Sequence, residues 1–124
     1  RYINLSFNYF GNFYRIIVMQ IVIDLDGTIC REMRQFSRPL AEPIPGAVET
    51  VNELYDRGDT IIIYSARTWA EYEVTVDWLR RHGVKYHQLM LGKPVGDLWI
   101  DDRSVNPRDM GWDGIRKQLI DTKQ

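Results

Sequence analysis

The chain has 124 residues, 44% of them apolar, with 16 basic against 17 acidic side chains and a net charge of −1. That is enough for one domain with its own core, and the near-neutral balance argues against nucleic acid or an anionic membrane surface as partner. A single cysteine, Cys30, excludes an internal disulfide and suits a reducing, cytoplasmic setting, and no apolar stretch is long enough to span a bilayer.

From Arg1 to Tyr14 aromatic and asparagine residues crowd together: Tyr2, Asn4, Phe7, Asn8, Tyr9, Phe10, Asn12, Phe13 and Tyr14. The stretch lacks the basic start, apolar centre and small-residue cleavage site of a signal peptide. Met19 would make a natural start, so residues 1–15 read as an extension to a domain over 16–124. An aromatic arm that packs on a partner chain or on the sheet is the alternative.

The run Ile16-Ile17-Val18-Met19-Gln20-Ile21-Val22-Ile23 predicts a strand buried on both faces. Asp24-Leu25-Asp26-Gly27-Thr28 closes it. Alternation along a strand sends Asp24 and Asp26 to the same side, roughly 6–7 Å apart in backbone rise, and Gly27 lets the chain turn. Burying unpaired carboxylates is costly. The pair therefore points to a divalent cation with oxygen ligands, against the plainer alternative of a polar strand end with a helix cap. Cys30 reads as a small loop residue, with no base beside it to make it a nucleophile.

Residues 29–45 read as a loop with three prolines, and Arg31, Arg34 and Arg38 within it are candidates for substrate contacts or simply a solvated surface. Gly46 to Arg57 is helical, with Val48, Val51, Leu54 and Tyr55 at helical spacing and Gly58 after its end. Arg57-Gly58-Asp59 is then a helix-to-strand turn. Thr60 to Tyr64 predicts a second buried strand, followed by Ser65-Ala66-Arg67. Thr68-Trp69-Ala70-Glu71 has the capping-box pattern and opens a helix whose apolar positions are Trp69, Tyr72, Val76 and Leu79, ended by Gly83. Tyr86 to Leu91 predicts a third strand, followed by Gly92-Lys93-Pro94. Asp97-Leu98-Trp99-Ile100 predicts a short fourth, followed by Asp101-Asp102-Arg103. Trp112, Ile115 and Leu119 mark a last helix. His82 and His87 have no second histidine at ligand spacing and read as structural.

Strands alternating with helices predict an α/β fold: a minimal parallel sheet of four strands between helical layers. Ligands of such sheets bind outside the carboxyl ends of the strands. Asp24 and Asp26, Ser65, Lys93, and Asp101 and Asp102 all fall at those ends. Four carboxylates around one space repel each other, and Lys93 alone cannot neutralise them. A bound Mg²⁺ can, and it would also draw in a phosphate dianion. Nucleophile, metal, phosphate donors and a proton source are the parts of a phosphoryl-transfer site.

These residues resemble the four motifs of the haloacid dehalogenase superfamily of phosphatases, in order, over residues 16–105: Asp24-Leu25-Asp26-Gly27-Thr28, then Ser65, then Lys93, then Asp101-Asp102. The resemblance implies a three-layer α/β/α sandwich of Rossmann-like type and a hydrolase of phosphoric monoesters. It implies that Asp24 attacks phosphorus and becomes an aspartyl-phosphate, while Asp26 protonates the leaving group and then deprotonates water. It further implies Mg²⁺ held by Asp24, the Asp26 carbonyl and Asp101, with Asp102 ligating directly or through water. Ser65 and Lys93, with Gly27 and Ala66 beside them, would hold the phosphoryl group. Thr28, Arg67 and Arg103 would support the site, the arginines by contact with substrate or by ion pairs. Tyr64-Ser65-Ala66-Arg67, Gly92-Lys93-Pro94 and Trp99 to Pro107 are also similar to the small capsule-biosynthesis phosphatases of polysaccharide gene clusters, which implies a sugar phosphate or polyol phosphate as substrate.

The intervals between motifs leave no room for a cap domain. A capless enzyme must take a large substrate, use loops, or borrow a lid from a second copy in a homo-oligomer. The expected substrate is therefore a small phosphorylated metabolite, with a phosphoprotein or a nucleic-acid phosphate end as the alternative. A receiver-like phospho-acceptor module is a further reading, disfavoured because receivers carry the acceptor acid on the third strand, which here has none. A catalytically dead relative is disfavoured because every motif residue is present.

Overall fold

The computed structural model describes residues 2–7 and 13–121, and side chains from Val18 to Asp121. Asn8, Tyr9, Phe10 and Asn12 of the aromatic stretch lie outside the described residues. Strand β1 (Tyr2–Phe7) pairs antiparallel with β2 (Phe13–Val18), Tyr2 opposite Val18 and Phe7 opposite Phe13.

The run expected as one strand over 16–23 is thus divided. Its second half, β3 (Gln20–Ile23), joins a different sheet. Met19 is the break, because its N–H donates to the Asp59 carboxylate at 2.8 Å rather than continuing the first pairing. Its carbonyl accepts from Thr60 N at 2.9 Å and starts the second.

Three parallel strands make the main sheet: β3, β4 (Thr60–Tyr64) and β5 (Gln88–Met90), with β4 in the middle. Ile61 and Ile63 of β4 are fully buried, as a central β-branched strand requires. β3 is the edge of this sheet. Val22 is 57% exposed, so the expectation of burial on both faces is corrected to one. The register aligns Ile23 with Ile63 and Ile63 with Leu89, so all three strands end at one level. That alignment brings their carboxyl-end residues to one edge.

The fourth strand expected over 97–100 is absent. The segment bends at Asp97, Leu98 and Ile100 are exposed, and it carries no ladder. Pro94 can donate no ladder bond. Asp101 folds the chain locally instead, its side chain accepting from Arg103 N at 2.9 Å and its carbonyl from Ser104 Oγ.

Helix α1 (Ala47–Arg57) buries Ala47, Thr50, Val51 and Leu54. Gly58 ends it at φ +108°, where a side chain would be strained. The next residue, Asp59, is fully buried and paired with Arg57 Nη2 at 2.6 Å, so this tripeptide is the expected turn. Helix α2 (Tyr72–Arg81) follows a 3-10 turn over Trp69–Glu71. Its buried residues are Thr75, Trp78 and Leu79; Tyr72, expected on the apolar face, is exposed with Trp69. Helix α3 (Pro107–Arg116) kinks at Gly111 and runs into a π turn over Lys117–Asp121. It packs against α1, with Arg116 bridging to Glu53 at 2.9 Å. A single apolar cluster from Ile23 and Leu25 through Val51, Ile63 and Trp78 to Trp112 and Ile115 joins sheet and helices. The residues between β3 and α1 hold only a 3-10 turn, Gln35–Leu40, and no cap.

Candidate active site

The loop after β3 is fixed from beneath. Leu25, Ile29 and Cys30 are fully buried, and each large apolar side chain taken from water contributes about 1.5–3 kcal/mol. The N–H groups of Thr28, Ile29 and Cys30 converge on the Leu25 carbonyl at 2.9–3.2 Å. Gly27 sits at φ +82° and donates to the Cys30 carbonyl at 2.7 Å; a side chain there would be strained. Trp112 Nε1 donates to the Thr28 carbonyl at 2.8 Å and ties the loop to α3. With Leu25 in the core, the carboxylates on either side of it face out.

Asp24 Oδ1 lies 3.8 Å from Lys93 Nζ, and its Oδ2 accepts from Thr28 Oγ1 at 3.2 Å. Burial pushes its carboxyl above the ordinary carboxylate range, with Lys93 and the Thr28 hydroxyl acting the other way. Lys93 is held by backbone as well as charge: its N–H donates to the Ser65 carbonyl at 2.9 Å, and Ser65 N donates to the Met90 carbonyl. Its ammonium lies 4.9 Å from the Trp99 ring centre and 5.7 Å from that of Tyr64, a partly apolar seat for a cation. Ser65 is fully buried and its hydroxyl accepts from Arg67 N at 3.1 Å.

Asp26 meets a guanidinium rather than open solvent. Arg67 donates from Nε to Oδ2 and from Nη2 to Oδ1, both at 2.8 Å. This fork is the strong planar pairing of the two groups. Arg67 is 1% exposed and donates its remaining Nη1 to Thr75 Oγ1 at 2.9 Å. Burial acts to lower the guanidinium's pKa, but the Asp26 partnership outweighs it and the group is held above its usual value. Arg38 Nε stands 4.0 Å from Asp26 Oδ2, and its Nη1 donates to the Glu71 carboxylate. Glu71 also accepts from Thr68 N at 3.3 Å, the reaching-back half of the expected capping box. Cys30 Sγ donates weakly to Asp26 Oδ1 at 3.6 Å, and burial pushes its thiol up to about 12. That agrees with an inert loop residue.

Asp24, Asp26, Gly27, Thr28, Ser65, Arg67 and Lys93 thus come to one edge of the sheet. Asp101, Asp102 and Arg103 do not join them: all three are exposed, and Asp102 faces Arg103 at 4.0 Å. Ala66 is exposed beside Ser65. Among the described residues no three His, Cys, Asp or Glu side chains gather as a metal cage. The donors at hand, the Asp24 carboxylate and the loop carbonyls, are hard oxygens of the kind Mg²⁺ takes along with water and substrate oxygens. His82 stacks on Trp78, and His87 Nδ1 accepts from Ile61 N at 3.0 Å, so both are structural. The sequence leaves Arg67 between substrate contact and ion pair, gives Glu71 only a capping role and Trp99 only a place in a strand and a motif, and offers no sign of Thr75. A strand-end arginine two residues past Ser65, on the same side of an extended chain, was the available signal.

Residues 31–120 match the family of 5′ nucleotidase, deoxy (pyrimidine), cytosolic type C proteins. The match takes in Ser65, Arg67, Lys93, Asp101 and Asp102 and begins just after the Asp24–Thr28 loop. A crystal structure from Vibrio cholerae is similar, with TM-score 0.62 and 27% identity over 75% of this chain and 86% of that one. One structure of a Pnkp1/Rnl/Hen1 complex is similar in fold, with TM-score 0.54 and 21% identity over 68% of this chain and 31% of its own. A structure of the Pnkp1/Rnl/Hen1 RNA repair complex is likewise similar, with TM-score 0.54 and 18% identity over 83% and 32%. A search of curated proteins finds no match. Fold and strand-end motifs define a capless phosphatase of the haloacid dehalogenase superfamily, a hydrolase of phosphoric monoesters. Within it, the chain belongs to the 5′ nucleotidase, deoxy (pyrimidine), cytosolic type C family.

Proposed function

We propose that this protein is a Mg²⁺-dependent phosphomonoesterase that works through an aspartyl-phosphate on Asp24. Its substrate is a small metabolite esterified at a sugar carbon, as in a sugar phosphate or a nucleoside monophosphate. The observation that carries the reading is the approach of Lys93 Nζ to within 3.8 Å of Asp24 Oδ1 at the strand edge. A cation beside a candidate nucleophile gives a phosphate dianion a reason to approach a carboxylate. The family description supports the nucleotide form of the substrate, and the likeness to capsule phosphatases supports the free sugar phosphate.

An Asp24 oxygen attacks phosphorus and the bond to the leaving oxygen breaks, with Lys93, the Ser65 hydroxyl and the Ala66 N–H holding the phosphoryl oxygens. Asp26 gives the leaving oxygen its proton. It then takes a proton from the water that attacks the aspartyl-phosphate, and Asp24 is regenerated as inorganic phosphate leaves. Mg²⁺, when bound, supplies charge neutralisation between carboxylate and phosphate. The Asp24 carboxylate and the Asp26 carbonyl would hold it, with water and substrate oxygens completing its shell.

The test is a panel of esters with Mg²⁺ and with EDTA: sugar phosphates, nucleoside 5′-monophosphates, a phosphopeptide and a 3′-phosphorylated oligonucleotide. The small esters should release phosphate only with the metal present, and Asp24→Asn should release none while keeping its circular dichroism. Folded protein that hydrolyses no ester refutes the chemistry; preference for the phosphopeptide or oligonucleotide refutes the substrate class.

A further inference from the structure

The geometry around Asp26 assigns a task to Arg67. A carboxylate has about two acceptor directions on each oxygen. On Oδ1 Arg67 Nη2 donates at 2.8 Å, while the single Cys30 S–H, 3.6 Å away, is shared with the Leu25 carbonyl at 3.7 Å. On Oδ2 only Arg67 Nε donates, at 2.8 Å. The other cation nearby, Arg38 Nε, is 4.0 Å from Oδ2 and has no hydrogen-bond partner of its own. It adds positive charge without fixing a direction. The fork thus occupies one acceptor direction on each oxygen, and the carboxyl can carry a proton while the fork stays intact.

The fork is itself held rigid. Arg67 Nη1 donates to Thr75 Oγ1 on α2 at 2.9 Å, the Arg67 N–H donates to Ser65 Oγ at 3.1 Å, and the Arg67 carbonyl accepts from Gly92 N at 2.9 Å. Backbone and side chain of one buried residue thus connect β4, α2, the Lys93 turn and the Asp26 carboxylate. A planar guanidinium gripping both oxygens sets the rotation of the carboxylate plane, which a lysine ammonium cannot do.

We infer that Arg67 is a positioning residue that fixes the plane of the Asp26 carboxyl for its encounter with the leaving group. The inference rests on the reading of Asp26 as proton donor given above. In the step concerned, the O–H bond of the Asp26 carboxyl breaks, the proton passes to the leaving alkoxide oxygen as its bond to phosphorus breaks, and Asp24 gains the phosphoryl group. An alkyl leaving group needs that proton. A p-nitrophenolate does not, because it is stable as an anion.

The test compares kcat/KM, which reports events up to departure of the leaving group, on p-nitrophenyl phosphate and on the best alkyl phosphate of the panel. Arg67→Lys should lower the alkyl value about a hundredfold, the scale of positioned proton transfer, and the aryl value by no more than about threefold. Thr75→Val, which frees Nη1 without touching Asp26, should show the same selectivity at about tenfold. Equal losses on both esters, or no loss on either, overturn the inference. If Arg67→Lys does not fold, the ratio for Thr75→Val decides. Asp26→Asn serves as the reference: it should be selective against the alkyl ester. Full alkyl turnover by Asp26→Asn would sink the donor reading itself, whereas a selective Asp26→Asn beside an unselective Arg67→Lys sinks only the part assigned to Arg67.

Discussion

Replacing Lys93 by methionine keeps most of the stem and removes the ammonium that lies 3.8 Å from Asp24 and near the Tyr64 and Trp99 rings. Two unit charges at this separation interact by about 4 kcal/mol at the effective dielectric of a partly wet site. Asp24 is 35% exposed and Lys93 19%, so solvent screens the pair, and no more than about 1 kcal/mol is the fairer figure for the resting protein. That is small because the lysine's main partner is absent until substrate arrives. Phosphate then brings charge into the same seat, and losing one such preorganised donor costs about 10²–10³ in rate. Lys93→Met should therefore lower kcat/KM by about 10²–10³ while moving stability by no more than about 1 kcal/mol. Steady-state kinetics on the best ester, with a urea titration of the same preparation, measures both. A folded variant within about threefold of the parent kcat/KM would refute the assignment of Lys93 to the phosphoryl group.

Asp24 should also destabilise the fold it serves. Its pKa in the folded chain lies above the unfolded value of 3.8, so folding disfavours its charged form. The penalty is absent below pH 3.8 and complete above the raised value. Asp24→Asn should therefore melt higher than the parent at pH 7, with the gain vanishing in acid; an equal or lower melting point at pH 7 contradicts this. Asp59→Asn should cost about 2–4 kcal/mol, because the buried carboxylate holds both Arg57 and Met19 N. The urea midpoint should fall while kcat/KM of the folded fraction holds, and an unchanged midpoint would show the turn to be unimportant. Cys30, buried with its thiol pushed up to about 12, should resist a thiol reagent at pH 8 and react once in denaturant. Rapid labelling of the native protein would contradict its place in the core.

How far the residues foretold this arrangement depends on whether a feature was local. The turn at Arg57-Gly58-Asp59 and the loop from Asp24 to Thr28 follow from glycine geometry and from an apolar residue between two acids. The meeting of Asp24, Ser65 and Lys93 was also legible, because parallel strands of similar length must end together. Periodicity failed where the outcome depends on a partner. Leu98-Trp99-Ile100 has the composition of a strand, but a strand needs a neighbour's free edge, and composition does not supply one. The same limit misplaced part of the α2 face, although Leu79 is buried as expected. Counting from Trp69 selected Tyr72 and Val76, whereas the helix starts only after a 3-10 turn and buries Thr75 and Trp78. Thr75 is buried where it serves as acceptor for Arg67, a contact that helical periodicity does not encode. The first apolar run was divided for a comparable reason: Asp59, forty residues on, captures the Met19 N–H.

The account turns on a phosphoryl group passing through Asp24. Asp26→Asn should slow release of that group, so the variant can be mixed with substrate and Mg²⁺, quenched in acid, digested and mapped by mass spectrometry. The account predicts one added phosphoryl group on the peptide that holds Asp24, labile to hydroxylamine and lost on chasing the parent enzyme. An unmodified Asp24 peptide while the ester is being consumed, or phosphate on Ser65 instead, would contradict it.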